Sequence, residues 1–569
     1  MAARNLLSKT AQRLLTTRNI SLSIKKHASL WTPDNIVKSP HKGIEIPNRT
    51  VPEHIFENME VWADKIAMEC GLTGRSYTYH QLYKYSRNFG SKLRTQLKIK
   101  DGDVVCIMMS NSPEYPIAAL GALEAGAEVT TVNPMYTAYE VQRQLIQSDP
   151  KVLIGIPELV PILKEALSLA KKDIPIICLK DGSNPLPANT ISFQEFALAD
   201  NVDHSVLKEV SRTPDDVSFL PYSSGTTGLP KGVELTHRNI VVNCKQQDVD
   251  SIRHYDITTK TSQDSTFGVL PFYHLYGLAV IMIHKLSLGF KIVTLPKFQP
   301  NSFVESMKQH RINLLYAAPP LVLFLGSYAG VTEEHLSSLK TIVCGAAPLP
   351  RNDVMKVLNK AKHKIDFLQL YGLTEISPLA TLTLPGSDHY SKAGFALPTT
   401  ELRIVDSEYK PLGPNEKGEL LIRGPQVMKG YRNNIEATKA VIADDGWFRS
   451  GDLASIDETG EITIADRLKE LIKVKGYQVP PAELENVLKE HPDILDVAVV
   501  GAPDAKTGEV PRAFVVLKEG SKPDADSITA FVKERVAEYK RVKDVTFLDE
   551  LPKNPSGKIL RRVLKEKYC

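Results

Sequence analysis

The chain is 569 residues long, 42% hydrophobic and 24% charged, with a formal net charge of +4; the length exceeds one compact core and fits about three or four folded units of ordinary globular composition. So small a charge on so long a chain gives no case for nucleic acid as a partner. No apolar run approaches the roughly 18 residues a membrane-spanning helix requires, and a typical one, 278–283, suits a core helix or strand.

The first 33 residues differ from the rest. Arg4, Lys9, Arg13, Arg18, Lys25 and Lys26 are basic, and no acidic residue precedes Asp34. Leu7, Ala11, Leu14 and Leu15 fall at helical spacing, with Lys9 and Arg13 opposite. Such a start predicts a mitochondrial transit peptide and a matrix location; a disordered basic tail on a cytoplasmic protein is the alternative. The C-terminal Lys567-Tyr568-Cys569 is not a peroxisomal Ser-Lys-Leu signal. Cys70, Cys106, Cys178, Cys244, Cys344 and Cys569 are far apart and form no CxxC pair, which predicts a reducing compartment without a zinc site or disulfide framework.

After the leader, an apolar strand at 104–109, a small-residue helix at 114–125 and a strand at 128–132 form a strand–helix–strand unit. That unit predicts an α/β fold with a doubly wound, mostly parallel sheet. Further strands are expected at 152–154, 217–220, 267–270, 312–317 and 341–344. Function in such sheets collects where strands end and loops begin. From about residue 400 the pattern turns to strand and turn, with strands at 401–405, 418–422 and 462–464. Beyond Asp466 comes a small α+β unit: helices at 482–489 and 528–536, strands at 497–500, 513–516 and 545–548, then a Lys/Pro/Gly-rich tail. The expected division is a leader at 1–33, a large region at 34–466 with a β-rich part from about 400, and a C-terminal domain at 467–569.

The run Tyr222-Ser-Ser-Gly-Thr-Thr-Gly-Leu-Pro-Lys-Gly-Val233 carries the most chemistry. Gly225 and Gly228 let backbone N–H groups converge, while Ser223, Ser224, Thr226, Thr227 and Lys231 add donors and a fixed positive charge. This is a phosphate cradle rather than a flexible turn. It is not a Walker A loop, because Lys231 is followed by Gly232 and Val233 rather than by Ser or Thr. Four more polar clusters follow: Tyr371-Gly-Leu-Thr-Glu375, Trp447-Phe-Arg-Ser-Gly-Asp452, the basic run 466–476, and Lys553-Asn-Pro-Ser-Gly-Lys558. Singly, each reads as well as a helix cap, a turn, a solvated face or a tail; five in this order do not.

Together these clusters resemble the adenylate-forming superfamily of acyl-CoA synthetases, 4-coumarate–CoA ligases and firefly luciferases, from about Ser76 to Lys558. The resemblance implies an ATP- and Mg²⁺-dependent acid–thiol ligase that makes an acyl adenylate and then an acyl-CoA. Its partners are then a small carboxylic acid, ATP and coenzyme A. By the same resemblance the loop 223–231 holds the β- and γ-phosphates, Glu375 holds Mg²⁺ with Thr226 as a second oxygen, and Thr374 contacts the α-phosphate. Tyr371 offers adenine an aromatic face opposite Gly345, Ala346 and Ala347, and Gln369 and Gly372 belong to the same nucleotide-contacting stretch. Asp452 accepts the ribose hydroxyls, Arg467 donates to them, and Gln478 contacts the nucleotide. Lys558 bridges the substrate carboxylate and α-phosphate, and His274 lies beside that carboxylate. After a swing about Lys469, Lys473, Lys475 and Gly476 serve the thioester step. By the resemblance, many relatives carry glycine before the position of Tyr371, where this chain has Leu370, so the expected substrate is a medium- or long-chain fatty acid. The alternatives are 4-coumarate or another aryl-propenoate, a luciferase-like oxygenase, or a non-catalytic nucleotide-binding relative. The sequence gives no oligomeric state.

Overall fold

The computed structural model describes residues 30–180, 185–223, 230–346, 349–474, 477–504, 507–536, 538–554 and 557–569, without the side chains of Arg467, Lys469, Tyr477 and Gln478. Two large sheets, each of nine strands among the described residues, form the body. In the first, Glu128–Thr131, Val104–Met108, Pro150–Gly155, Ile176–Cys178 and Ile191–Ser192 run parallel. Val104–Met108 is buried at every position, which is why it reads as an unbroken apolar run rather than an alternating one. The helix Tyr115–Glu124 is buried from Tyr115 to Leu123 and packs on the long helix Tyr79–Leu97. That helix starts cleanly because Thr78 and Gln81 form a reciprocal capping box.

The second sheet places Asp366–Gly372, Thr341–Cys344, Leu314–Ala317, Ser265–Gly268, Lys291–Thr294 and Ile66–Cys70 side by side and parallel. The C-terminal ends of these six strands therefore open on one edge, the position at which such sheets bind ligands. The apolar run at 278–283 belongs to a wholly buried π-helix, Tyr276–Ile283. The wider i→i+5 winding is rare and recurs at functional sites.

An antiparallel five-stranded sheet, Val37–Lys38, Glu401–Val405, Gly418–Arg423, Phe448–Ile456 and Ile462–Arg467, supplies the β-rich part. The C-terminal unit has its own core, built from Ile472, Leu484, Leu488, Val497, Val515 and Ile528 among others. Its expected tail is corrected in part: the chain ends in a helix, Arg561–Tyr568. The Lys/Arg-rich surface hid the buried Leu564 that packs it. No helix among the described residues is long and apolar enough to cross a membrane.

Candidate active site

Ser223 and Lys231 face each other across the antiparallel pair Tyr222–Ser223 and Lys231–Thr236. The pairing brings together the two ends of the Ser/Thr/Gly loop. Ser223 Oγ donates to Glu375 Oε1 at 2.6 Å, and the Tyr431 hydroxyl donates to the same oxygen at 2.9 Å. Glu375 is only 5% exposed and sits in the 3-10 turn Thr374–Ile376, next to a half-buried Thr374. Lys231 Nζ stands 5.4 Å from the centroid of the Tyr431 ring. One buried carboxylate, two hydroxyls and an ammonium thus form a single cluster at the mouth of the loop.

A second pair joins the second large sheet to the antiparallel five-stranded sheet. The Tyr371 hydroxyl donates to Asp452 Oδ2 at 2.6 Å, a short bond of the charge-assisted kind. The Asp452 N–H in turn donates to Ser450 Oγ at 3.1 Å. Asp452 lies opposite Arg467 in the register of their strands. Gly345 follows the strand Thr341–Cys344, and Ala346 takes a left-handed φ of 76°, a conformation in which a Cβ is crowded. Gln369 is buried within its strand, and its Nε2 has no hydrogen-bond partner among the described residues. Gly372 closes the same strand.

His274 follows the strand Ser265–Gly268 at the same sheet edge. The Tyr276 N–H donates to His274 Nδ1 at 3.2 Å, so the ring proton of the neutral imidazole belongs on Nε2. The ring is exposed to water, yet burial pushes its pKa down to about 4, with the Lys558 ammonium adding to the effect. Both properties hold for a side chain on the wall of a cleft, reached by solvent but flanked by protein. Lys558 comes from a tight loop in which its N–H donates to Asn554 Oδ1 at 2.8 Å. Gly557 has a φ of 81°, and a Cβ there would lie 2.4 Å from Pro320 Cγ. The glycine therefore lets the C-terminal loop lie flat on the start of the helix Pro319–Ser327, which carries Lys558 towards His274.

Lys473 is not part of this gathering. It is exposed in the strand Ile472–Val474, opposite Gln478, and its N–H donates to Glu509 Oε2 at 2.8 Å. Ser224, Gly225, Thr226, Thr227, Gly228, Ala347, Lys475 and Gly476 lie outside the described residues, as do the side chains of Arg467 and Gln478. Tyr431 is the cluster member that motif reading missed; the signal was the Gly430-Tyr431-Arg432 run that pairs with the strand after the loop.

The sequence profile of the AMP-binding enzyme family matches residues 55–432, and that of the AMP-binding enzyme C-terminal domain matches 483–558. The chain belongs to the AMP-binding enzyme family. It is thereby a member of the adenylate-forming superfamily. Similar relatives include 4-coumarate--CoA ligase 3 of Oryza sativa subsp. japonica, 38% identical over 94% of this chain and 95% of the relative. Another is 4-coumarate--CoA ligase 1 of Arabidopsis thaliana, 37% identical over 97% and 98%. Among solved structures, ATP-bound MatB from Rhodopseudomonas palustris superposes with a TM-score of 0.81 at 28% identity, covering 92% of this chain and 99% of that one. The Oryza sativa and Arabidopsis thaliana relatives are named for 4-coumarate, an acid placed second to a fatty acid in the expectations from sequence.

The substrates and cofactors that go with CoA ligases of this AMP-binding family are ATP, Mg²⁺ and coenzyme A. The residues present fit Mg²⁺. Both hydroxyls fall on Glu375 Oε1, and among the described residues Oε2 takes no hydrogen bond. Mg²⁺ is held typically by one or two carboxylates plus substrate phosphates, not by an all-protein cage. Among the described residues there is no group of three or more His, Cys, Asp or Glu side chains that could hold a metal ion by itself.

Proposed function

We propose that this AMP-binding enzyme is an ATP-dependent acid–CoA ligase whose acid is an aryl-propenoate of the 4-coumarate kind. The carboxylate attacks the α-phosphorus of ATP, forming a carbon–oxygen–phosphorus anhydride and releasing pyrophosphate. The thiolate of coenzyme A then attacks the acyl carbon, forming the thioester and releasing AMP. The observation that carries the reading is the convergence of Lys558 with His274 at the sheet edge that also bears Tyr371 and Glu375. The aryl-propenoate is supported by relatives of that name along nearly the whole chain.

Attack of a carboxylate on a phosphate brings anion to anion, so the site must supply charge and donors. Lys558 supplies an ammonium beside the reacting oxygens, and His274 Nε2–H donates to the acid's carboxylate and orients it. Ser223 and Lys231, paired across their strands, offer a hydroxyl and an ammonium to the phosphate chain, and Glu375 would offer Oε2 to Mg²⁺. The metal, when bound, neutralises charge on the leaving pyrophosphate. Asp452, already oriented by Tyr371, takes the ribose hydroxyls. Lys473, exposed on the C-terminal unit, serves the second half-reaction after that unit turns.

One observation favours a second reading, a medium- or long-chain fatty acid. An aliphatic side chain, Leu370, packs over Gly345, with its Cδ1 2.2 Å from where a Cβ on that glycine would stand, and a leucine at this place suits a flexible aliphatic chain better than a rigid aromatic acid. A panel assay decides: ATP, Mg²⁺ and CoA with 4-coumarate, octanoate or dodecanoate, following pyrophosphate and thioester. Higher kcat/KM on 4-coumarate upholds the aryl-propenoate; higher kcat/KM on an aliphatic acid replaces it with the fatty acid; no thioester from any acid sinks the ligase reading.

The basic leader supports a mitochondrial matrix location, with the cytoplasm as alternative. Residues 1–33 fused to a fluorescent reporter are expected in mitochondria. A cytosolic reporter would defeat the targeting reading and leave the ligase reading intact.

A further inference from the structure

Tyr431 touches both halves of the phosphate-side cluster. Its hydroxyl donates to Glu375 Oε1 at 2.9 Å, and its ring carries Lys231 Nζ at 5.4 Å. The side chain has little room to move, being 7% exposed. Its backbone is fixed on both sides. Tyr431 pairs with Val233 in the strand after the loop, its N–H donates to Thr438 Oγ1 at 2.9 Å, and the Arg432 N–H donates to Gly232 O at 2.8 Å. The Arg432 guanidinium then binds Glu128 and Glu234, tying this short strand to two others. Such a strand holds a phenol where it cannot follow a ligand; it can only fix what it touches.

The geometry points to Tyr431 as a positioning residue that sets the Glu375 carboxylate for Mg²⁺ and the Lys231 ammonium for the nucleotide phosphates. This rests on the reading of Glu375 as the metal-holding carboxylate. Two hydroxyls on one carboxylate oxygen stop the group from rotating, so Oε2 keeps one direction. A phenol donating to a carboxylate gains electron density in its ring, which strengthens the ring's attraction for a cation over its face. Fixing Glu375 and holding Lys231 thus reinforce each other through one side chain. A tyrosine that merely filled the core would affect stability without touching metal dependence.

The test uses the full chain with ATP but without acid or CoA, so that nothing turns over. ATP binding is measured by calorimetry with and without Mg²⁺, and the ratio of the two affinities is the Mg²⁺ enhancement. Tyr431→Phe, which loses only the hydroxyl, should lower the enhancement about tenfold and leave metal-free ATP affinity within about twofold. Tyr431→Leu, which also loses the ring, should weaken metal-free binding several-fold as well. Glu375→Gln separates the two layers of the inference. If it lowers the enhancement and Tyr431→Phe does not, the role of Tyr431 is overturned and that of Glu375 stands. If neither variant changes the enhancement, the metal reading of Glu375 falls and the proposal with it. Should Tyr431→Phe fail to fold, Tyr431→His, which keeps a donor and an aromatic face, must retain more enhancement than Tyr431→Leu; equal loss overturns the proposal.

Discussion

Lys558 and His274 come from separate folded units, yet the ammonium of one adds to the burial that depresses the basicity of the other. Pro320 and Gly557 make the contact that brings them together, and only a residue without a Cβ permits it. In this arrangement the C-terminal unit presents Lys558 to the cleft and leaves Lys473 outside it. The two lysines should therefore serve different half-reactions.

Lys558→Ala should abolish acyl-adenylate formation while sparing thioester formation from supplied acyl adenylate; Lys473→Ala should do the reverse. Losing one charge-assisted contact in a transition state costs a few kcal/mol, on the order of a hundredfold in rate. Pyrophosphate release and single-turnover thioester formation, measured separately, check the split. Equal damage to both steps in both variants would remove the basis for a turning domain.

His274 is expected to work neutral. Its pKa of about 4 lies below the ordinary 6.5 because of burial, with Lys558 contributing. Between these values the unfolded chain binds the proton and the folded chain does not. Stability contributed by the neutral ring is thus full above pH 6.5 and is lost as pH falls through about 4. His274→Asn should flatten the acid limb of a melting-temperature profile in that window. The same variant should lower kcat about tenfold or more, without removing any limb of the rate profile near pH 6.5. A rate limb there that His274→Asn abolishes would show that the ring titrates during catalysis.

Much of this is legible in the chain because it depends on local pattern. The buried strand Val104–Met108 and the helix Tyr115–Glu124 announce themselves by unbroken apolar and small residues. Glu375 is marked by the turn that carries it, and Asp452 by the glycine that precedes it in its strand. What stays hidden depends on distant pairing. Tyr431 matters through Glu375 and Lys231, and neither contact has a local signature. The run 278–283 cannot be told from a strand or α-helix, because a segment hydrophobic on all sides has no period to read. The fit of Leu370 over Gly345 emerges only with two strands side by side.

Leu370→Gly should raise kcat/KM for 4-coumarate relative to dodecanoate. Removing the side chain empties the space that Leu370 fills over Gly345 and takes away an apolar contact that a flexible chain would use if this leucine lines the acyl pocket. A change of pocket wall by a few carbons shifts preference by about 1–3 kcal/mol, roughly ten- to two-hundredfold. The ratio of the two efficiencies, compared between Leu370→Gly and the unaltered chain, is the measurement. An unchanged ratio would place Leu370 outside the acyl pocket.

Lys285 is expected to lower stability at neutral pH. It is fully buried in the short helix His284–Ser287 that follows the π-helix, its Nζ has no hydrogen-bond partner among the described residues, and the Tyr255 ring lies 3.6 Å away with Phe290 and Tyr316 at 5.4 Å. Burial pushes its pKa down from 10.5 to about 7, against the opposing pull of the nearby Asp248 carboxylate. Between those values the unfolded chain is protonated and the folded chain resists it, so stability rises with pH through the window and the penalty is full below about 7. Lys285→Met keeps the volume and the apolar contacts and never takes a charge. The variant should be more stable near pH 7 by a few kcal/mol, since every tenfold weakening of proton binding in the folded chain corresponds to about 1.4 kcal/mol. It should also lose the rise in melting temperature that the unaltered chain shows between pH 7 and 10. The outcome that sinks this is a Lys285→Met protein less stable at pH 7 than the unaltered chain: the ammonium over the three rings would then be a net stabilising cation rather than a buried cost.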